Sequence, residues 1–260
     1  MRVVAAVATL LVNLAVALTA CGHPVTGARR QPVADSTPRI VVGPVDPDPR
    51  VGAIFPGGGN LHTCTGSVLE SPGNDLMLTA AHCLSGGTKS TTFIPGFSGN
   101  PPAADVWTLN AVYFDPRWLA ATDPHADYAI ARLTRAGGGP AGVHLSPGLS
   151  LGVAPVPGSR VSVKAYPAGA GDRPVGCQAD IKIADGYPAL ACIGLVDGTS
   201  GAPWMSGSTV TGLIGGLDGG GCDEKVSYSP PLDDHIKQLL TRAEAGGPGD
   251  RAPAAVDSGC

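Results

Sequence analysis

The sequence predicts an all-β fold of antiparallel strands on three observations: short apolar runs, frequent chain breakers and scarce helical periodicity. The 260 residues include 38 Gly and 25 Pro, and only 15% are charged. Gly and Pro at that density interrupt helices but suit the turns between short strands. With 43% hydrophobic residues, the chain is long enough to bury a core of ordinary domain size. A formal charge of -4, with no dense Lys/Arg run, excludes the basic stripe that nucleic acid requires.

At the N-terminus, Arg2 precedes an apolar run from Val3 to Ala20 that is interrupted by Thr9, Asn13 and Thr19. This is the pattern of an export signal, so residues 1–20 read as a signal peptide. Leu18-Thr19-Ala20-Cys21 resembles the bacterial lipobox, and on that reading the mature chain starts at a lipidated Cys21. The alternative is cleavage nearby that leaves Cys21 a plain thiol. Both readings put the rest of the chain outside the cytoplasmic membrane.

Residues 21–50 contain Pro24, Pro32, Pro38, Pro44, Pro47 and Pro49 without apolar periodicity, the composition of an extended, stiff tether. Asp46 and Asp48 alternate with these prolines and read as part of the tether rather than as a calcium cage. The folded part is expected over 51–244. The stretch 245–260, rich in Gly, Ala and Pro, is expected to be a disordered tail.

Between these limits the apolar runs are turn-bounded. Val51–Phe55, Cys64–Leu69, Leu76–Thr79, Trp107–Tyr113, Tyr128–Leu133, Val161–Ala165, Leu190–Leu195 and Thr209–Gly215 each read as a strand. Breakers such as Pro56-Gly57-Gly58-Gly59 separate them, and the segment 134–147, with Gly137-Gly138-Gly139-Pro140, reads as a junction between two halves. Many short strands without intervening long helices indicate an antiparallel barrel or sandwich. One helix is expected at the end, over Pro231–Ala245, with Asp233 or Asp234 at its start and Ile236, Leu239 and Leu240 on one face.

Cysteine usage agrees with export. Apart from Cys21 the chain has Cys64, Cys83, Cys177, Cys192, Cys222 and Cys260, an even number suited to disulfides. Spacing does not choose their pairing. The absence of any CxxC pair argues against structural zinc, and no metal is expected.

Three segments carry chemistry. Thr79-Ala80-Ala81-His82-Cys83 puts an imidazole just past a strand, beside small residues that allow close packing. His125-Ala126-Asp127-Tyr128 places a carboxylate immediately before another strand, as the competing Asp115 and Asp123 are not placed; His125 itself reads as a loop residue. Gly198-Thr199-Ser200-Gly201-Ala202-Pro203 offers a serine in a tight turn, whose Gly198 and Ser200 backbone N–H groups can converge as an oxyanion hole. A neutral imidazole deprotonates a serine during attack, and a carboxylate on its other nitrogen fixes the tautomer and stabilises the imidazolium.

The order His82, Asp127, Ser200, with gaps of 45 and 73 residues, resembles that of the chymotrypsin-like (trypsin-fold) serine proteases, secreted bacterial members in particular. The resemblance covers about Val51 to Ala243. It implies two antiparallel β-barrels with the site in the cleft between them, His82 and Asp127 coming from the first and Ser200 from the second. It also implies a Cys64–Cys83 disulfide and supports Cys177–Cys192, with Cys192–Cys222 the competing pair. The implied activity is endopeptidase cleavage of a polypeptide by a monomer without a cofactor. A non-catalytic binding module on the same fold and a serine esterase are the alternatives.

Departures from the family pattern matter. The family's G-D-S-G-G-P is here Gly198-Thr199-Ser200-Gly201-Ala202-Pro203. In animal members that Asp receives the new N-terminal ammonium after zymogen cleavage, and Thr199 cannot form that ion pair. Arg39-Ile40-Val41-Val42-Gly43 resembles an activation site, but cleavage there is expected to release the domain from a lipidated Cys21 rather than to switch it on. The residue six before the nucleophile, at the base of the family's specificity pocket, is Gly194, which gives no reason to expect preference for Lys or Arg. Gly215 and Gly216 are expected to form the pocket wall, and Asp197, Asp218 and Glu224 read as solvated loop acids.

Overall fold

The computed structural model describes residues 39–99, 105–135, 145, 147–168 and 173–256. The signal peptide, Cys21, most of the 134–147 junction and Cys260 lie outside them. Among the described residues, no helix is long and apolar enough to cross a membrane.

A short β1 (Gly43–Pro44) precedes the first barrel, which comprises β2 (Val51–Phe55), β3 (Cys64–Leu69), β4 (Leu76–Thr79), β5 (Thr92–Pro95), β6 (Trp107–Phe114) and β7 (Ala129–Arg135), with helix α1 (Pro116–Ala121) between the last two. The second half contains β8 (Ser150–Leu151), β9 (Arg160–Ala165), β10 (Val175–Ala184), β11 (Tyr187–Leu190), β12 (Pro203–Ser206), β13 (Thr209–Leu213), β14 (Ser227–Tyr228) and the C-terminal helix α2 (Asp234–Ala245). Strands β2-β3-β4-β7-β6-β5 close into a barrel, and the others form one sheet in the order β14-β11-β10-β9-β12-β13-β8, with β1 added to β10. All pairings between these strands are antiparallel except the two-residue β8–β13 contact.

The fold is thus all-β with a C-terminal helix, and the apolar runs explain the strands. β2, β3 and β4 coincide with the runs from which they are expected and are buried along their whole length, as strands covered on both faces must be. The expected strand at 190–195 is instead β11, ending at Leu190. Gly194 has φ +98, which extended L-residues avoid, so the chain leaves the sheet there apart from an isolated bridge at Ile193. α1 is capped by the Asp115 carboxylate on the Arg117 N–H and has Pro116 at its first position. α2 is capped by Asp233 on the His235 N–H and buries Ile236, Leu239 and Ala243.

The described parts of the segments expected to flank the fold, residues 39–50 and 246–256, belong to it. Within the expected tether, Val42 N–H donates to the Ile193 carbonyl and Gly43–Pro44 pairs with β10. Asp48 is held by Arg50 and Lys164, not in an acidic cage; the Arg50 guanidinium keeps its carboxyl down at about 2. Residues 246–256, expected as a disordered tail, run along the first barrel. Composition marks such a segment as unable to form its own core, but it can lean on one already made, and Ala252 and Val256 pack against the first barrel's apolar interior.

The two halves meet at Thr65. Its N–H donates to the Ser200 carbonyl, its hydroxyl donates to the Gly198 carbonyl and accepts from the Tyr166 N–H, and its carbonyl accepts from the Thr79 hydroxyl. All its polar groups are used although the residue is fully buried. Thr65→Val strands the Gly198 carbonyl and the Tyr166 N–H without water, and is expected to cost about 2–4 kcal/mol in denaturant unfolding, whereas Thr65→Ser retains most of that stability.

Candidate active site

β4 and β7 lie side by side with Thr79 opposite Ala129, so the turn after β4 and the turn before β7 emerge together. Ala80 and Ala81, both fully buried, pass through the packed end of the barrel where larger side chains have no room. His82 then opens a 3-10 turn over His82–Leu84, and Cys83 within it is disulfide-bonded to Cys64 at the start of β3. Asp127 follows a second 3-10 turn over Pro124–Ala126, whose start is capped by Asp123. Both strand ends are therefore fixed before either side chain is considered.

The imidazole Nδ1 of His82 lies 2.8 Å from Asp127 Oδ2, and the backbone N–H of His82 donates to Oδ1 at 2.9 Å. Gly216 N–H donates to Oδ2 at 2.8 Å. The Asp127 side chain is 1% exposed. Burial alone would raise its pKa, but the imidazole's charge and hydrogen bond and the two backbone donors overcome that and hold the carboxyl below its usual range. For His82, burial works against the imidazolium, yet the Asp127 carboxylate outweighs it and raises the ring. A carboxylate fully paired on one side thus orients an imidazole whose Nε2 remains for chemistry.

Asp115 and Asp123 do not compete. Asp115 is buried in a separate network with Arg117 and the Tyr128 hydroxyl, and Asp123 caps its turn and pairs with His125. His125 stacks on Tyr187 as a loop residue.

Ser200 lies between β11 and β12, in a loop pressed against the first barrel. A Cβ on Gly201 would lie 2.2 Å from both the Thr65 carbonyl and Thr79 Oγ1, and φ is +81, so only glycine fits. The Ala168 N–H holds the Asp197 carbonyl at 2.7 Å. Because the peptide is planar and trans, the Gly198 N–H is directed to the opposite side. Among the described residues, the Gly198 and Ser200 N–H groups donate to no protein acceptor, whereas their neighbours Thr199, Gly201 and Ala202 donate to Val196, Ile214 and Thr199. Two unspent donors flank the serine, the arrangement that an oxyanion hole needs. Ser200 and His82 make no hydrogen bond to each other among the described residues; the Ser200 carbonyl is 3.7 Å from the sulfur of Cys83, the residue after His82.

A cavity of about 360 Å³ lies beside Ser200, walled by Leu195, Thr199, Ile214 and Gly219–Gly221, with Asp197, Asp218 and Glu224 at its lining. Gly194 is not among the residues lining it. It packs against Val42, and its N–H is held by the Glu224 carbonyl. Gly215 and Gly216, expected as the pocket wall, do not line that cavity and lie over Asp127, and Gly216 lines a second cavity that holds His82. A Cβ on Gly215 would lie 3.0 Å from Asp127 Oδ2, and the Gly215 N–H is spent on the Tyr228 carbonyl. The disulfides Cys64–Cys83 and Cys177–Cys192 are both formed, which excludes Cys192–Cys222.

Two half-domains, the first a closed barrel, with His82 and Asp127 carried by the first and Ser200 by the second, define the architecture. The chain has the two-barrel fold of the chymotrypsin-like serine proteases. It is similar to the protease Anisep from Arthrobacter nicotinovorans (TM-score 0.66, 21% identity, 79% of this chain and 100% of that one). It is also similar to the thermostable serine protease AL20 from an extremophilic microorganism (0.63, 20%, 76% and 98%) and to human heparin binding protein (0.60, 16%, 82% and 100%). No family model and no curated protein sequence matches the chain.

Trp118, Thr65 and the Gly216 N–H belong to the site's surroundings but carry no sequence motif. The one available signal is a threonine beside Cys64 inside a strand buried along its whole length. An NMR titration of His82 checks the electrostatics. Its midpoint is expected above the ordinary value of about 6.5, and in Asp127→Asn below it, since the burial that disfavours the imidazolium stays when the carboxylate is gone.

Proposed function

We propose that this protein is an exported serine endopeptidase with His82, Asp127 and Ser200 as its catalytic residues. The observation that carries the reading is the buried, fully coordinated Asp127 on His82 Nδ1, beside a serine loop whose Gly198 and Ser200 N–H groups are unspent. Ser200 Oγ attacks the scissile carbonyl carbon as His82 Nε2 accepts its proton, and the Gly198 and Ser200 N–H groups receive the oxyanion. Asp127 stabilises the imidazolium, which then protonates the leaving amine as the C–N bond breaks. Water, activated by His82, hydrolyses the ester on Ser200 and restores the enzyme.

The substrate is a polypeptide, and no cofactor enters any step. Export is supported by the disulfides and by the secretory pattern of residues 1–20, and attachment to the membrane rests on lipidation of Cys21. Activity is proposed to need no zymogen cleavage. The Thr199 hydroxyl is satisfied within its own loop by the Val196 carbonyl at 2.7 Å, and the Ile40 carbonyl already accepts from Ile193 N–H in the uncut chain. Cleavage after the exposed Arg39 would instead free the domain from its anchor.

A fluorophosphonate probe is expected to label the full chain and not Ser200→Ala. An unlabelled parent would turn the reading to a binding module, for which the fold of human heparin binding protein is the available parallel. Labelling with no peptide cleavage would favour an esterase. Arg39→Gln is expected to be labelled as fast as the parent, and an obligatory Ile40 terminus on the labelled enzyme would overturn the cleavage-independent reading.

A further inference from the structure

After α2 the chain turns at Gly246 and returns along β6. β5 pairs with β6 only at Trp107 and Thr108, so the edge of β6 beyond Leu109 is open. Residues 247–250 cover it. The Tyr113 hydroxyl donates to the Gly247 carbonyl at 3.0 Å, the Asp250 N–H donates to the Val112 carbonyl at 2.7 Å, and the Asp250 carboxylate accepts from the Phe114 N–H at 2.8 Å. Arg242 of α2 grips the same carboxylate with both terminal nitrogens. Gly249 passes so close that a Cβ would lie 2.6 Å from the Val112 nitrogen.

Covering a strand edge is sufficient reason for these contacts. It does not account for the course of the chain beyond Asp250. The Pro253 carbonyl accepts from Gly86 N–H at 2.8 Å, and the chain continues to Val256, which packs on the first barrel's core. Val256 is also a wall of a cavity of about 210 Å³ that holds His82, Trp118 and Pro124. That cavity adjoins the one beside Ser200, with which it shares Asp218 and Gly219.

We propose that the C-terminal segment 251–256 is part of the substrate cleft and that Val256 determines which side chain is accepted beside His82. The proposal rests on the endopeptidase reading. A peptide crossing two adjoining cavities seats one side chain in each. The indole of Trp118, the ring of Pro124 and the Val256 methyls make the His82 cavity suited to an apolar side chain. Among the described residues, no charged group lines it apart from His82, the already paired Asp127 and the exposed Asp218 at the boundary.

The test uses the full chain, parent and Val256→Asp, because a point change leaves the Asp250 anchor intact. Cleavage-site profiling on a denatured protein mixture is expected to show apolar residues enriched at the position adjoining the scissile residue. Val256→Asp should cut that enrichment about tenfold, the scale on which an apolar pocket discriminates. In parallel, the NMR midpoint of His82 should rise in Val256→Asp, since a nearby carboxylate favours the imidazolium. A midpoint that does not move overturns the placement of Val256 beside the imidazole. A labelled, active enzyme with an unchanged profile overturns its role in specificity. A parent that takes no fluorophosphonate label removes the endopeptidase reading and the subsite with it, and is told apart because the titration shift needs no working Ser200.

Discussion

Thr65 is the residue on which the rest of the site depends. Neither half carries a complete reactive group: the imidazole and carboxylate come from the first barrel, the serine from the second. What sets their relative position is a small number of hydrogen bonds in a dry interface, where each has no water to replace it. Thr65 supplies these through its backbone N–H to the Ser200 carbonyl and its hydroxyl to the Gly198 carbonyl, one residue from the Cys64–Cys83 disulfide that holds the His82 turn. The same residue therefore references Ser200, the Gly198–Ser200 loop and the His82 turn to a single point. Thr79, which answers the Thr65 carbonyl, extends that reference to the strand leading into His82.

Around this point the backbone makes the electrostatics one-sided. Asp127 receives N–H donors from its own barrel at His82 and from the other half at Gly216, so its charge is held by fixed dipoles that need no rearrangement. Thr199 plays the complementary part. Where an ion pair would tie the serine loop to a distant terminus, a short hydroxyl-to-carbonyl bond ties it to itself. The loop's shape is then a local property, and the N-terminal segment can dock by ordinary strand pairing at Ile193 and β10.

Much of this was legible in the sequence, and the limits reflect the range of the forces involved. Runs buried on both faces, such as Val51–Phe55 and Cys64–Leu69, declare themselves because burial dictates composition residue by residue. The segments around His82 and Ser200 stood out because tight turns demand Gly and small residues at set offsets. β10 was not foreseen: its Gln178, Asp180 and Lys182 face outward in alternation and dilute the apolar signal over a long strand. Glycine was the weakest guide to function. Gly194, Gly215 and Gly216 were expected at the specificity pocket, yet each is glycine because another part of the chain passes close by, Val42 in one case, Asp127 in another and Pro230 in the third. The tail escaped notice for a related reason. Its anchors acquire meaning only against distant segments, Asp250 against the edge of β6 and Pro253 against Gly86 in the loop after the His82 turn.

That distance bears on when the site comes into being. The first barrel holds the imidazole and the carboxylate, but the edge of β6 beyond Leu109 is left unpaired until residues 247–250 arrive, and α2 must already be in place for Arg242 to seat Asp250. A chain interrupted before residue 247 would carry an uncapped strand edge and a His82 cavity without Val256. Completion of the His82 cavity thus waits on residues 247–256, and in a chain exported N-terminus first, as proposed, that wall would be built only after those residues had crossed the membrane.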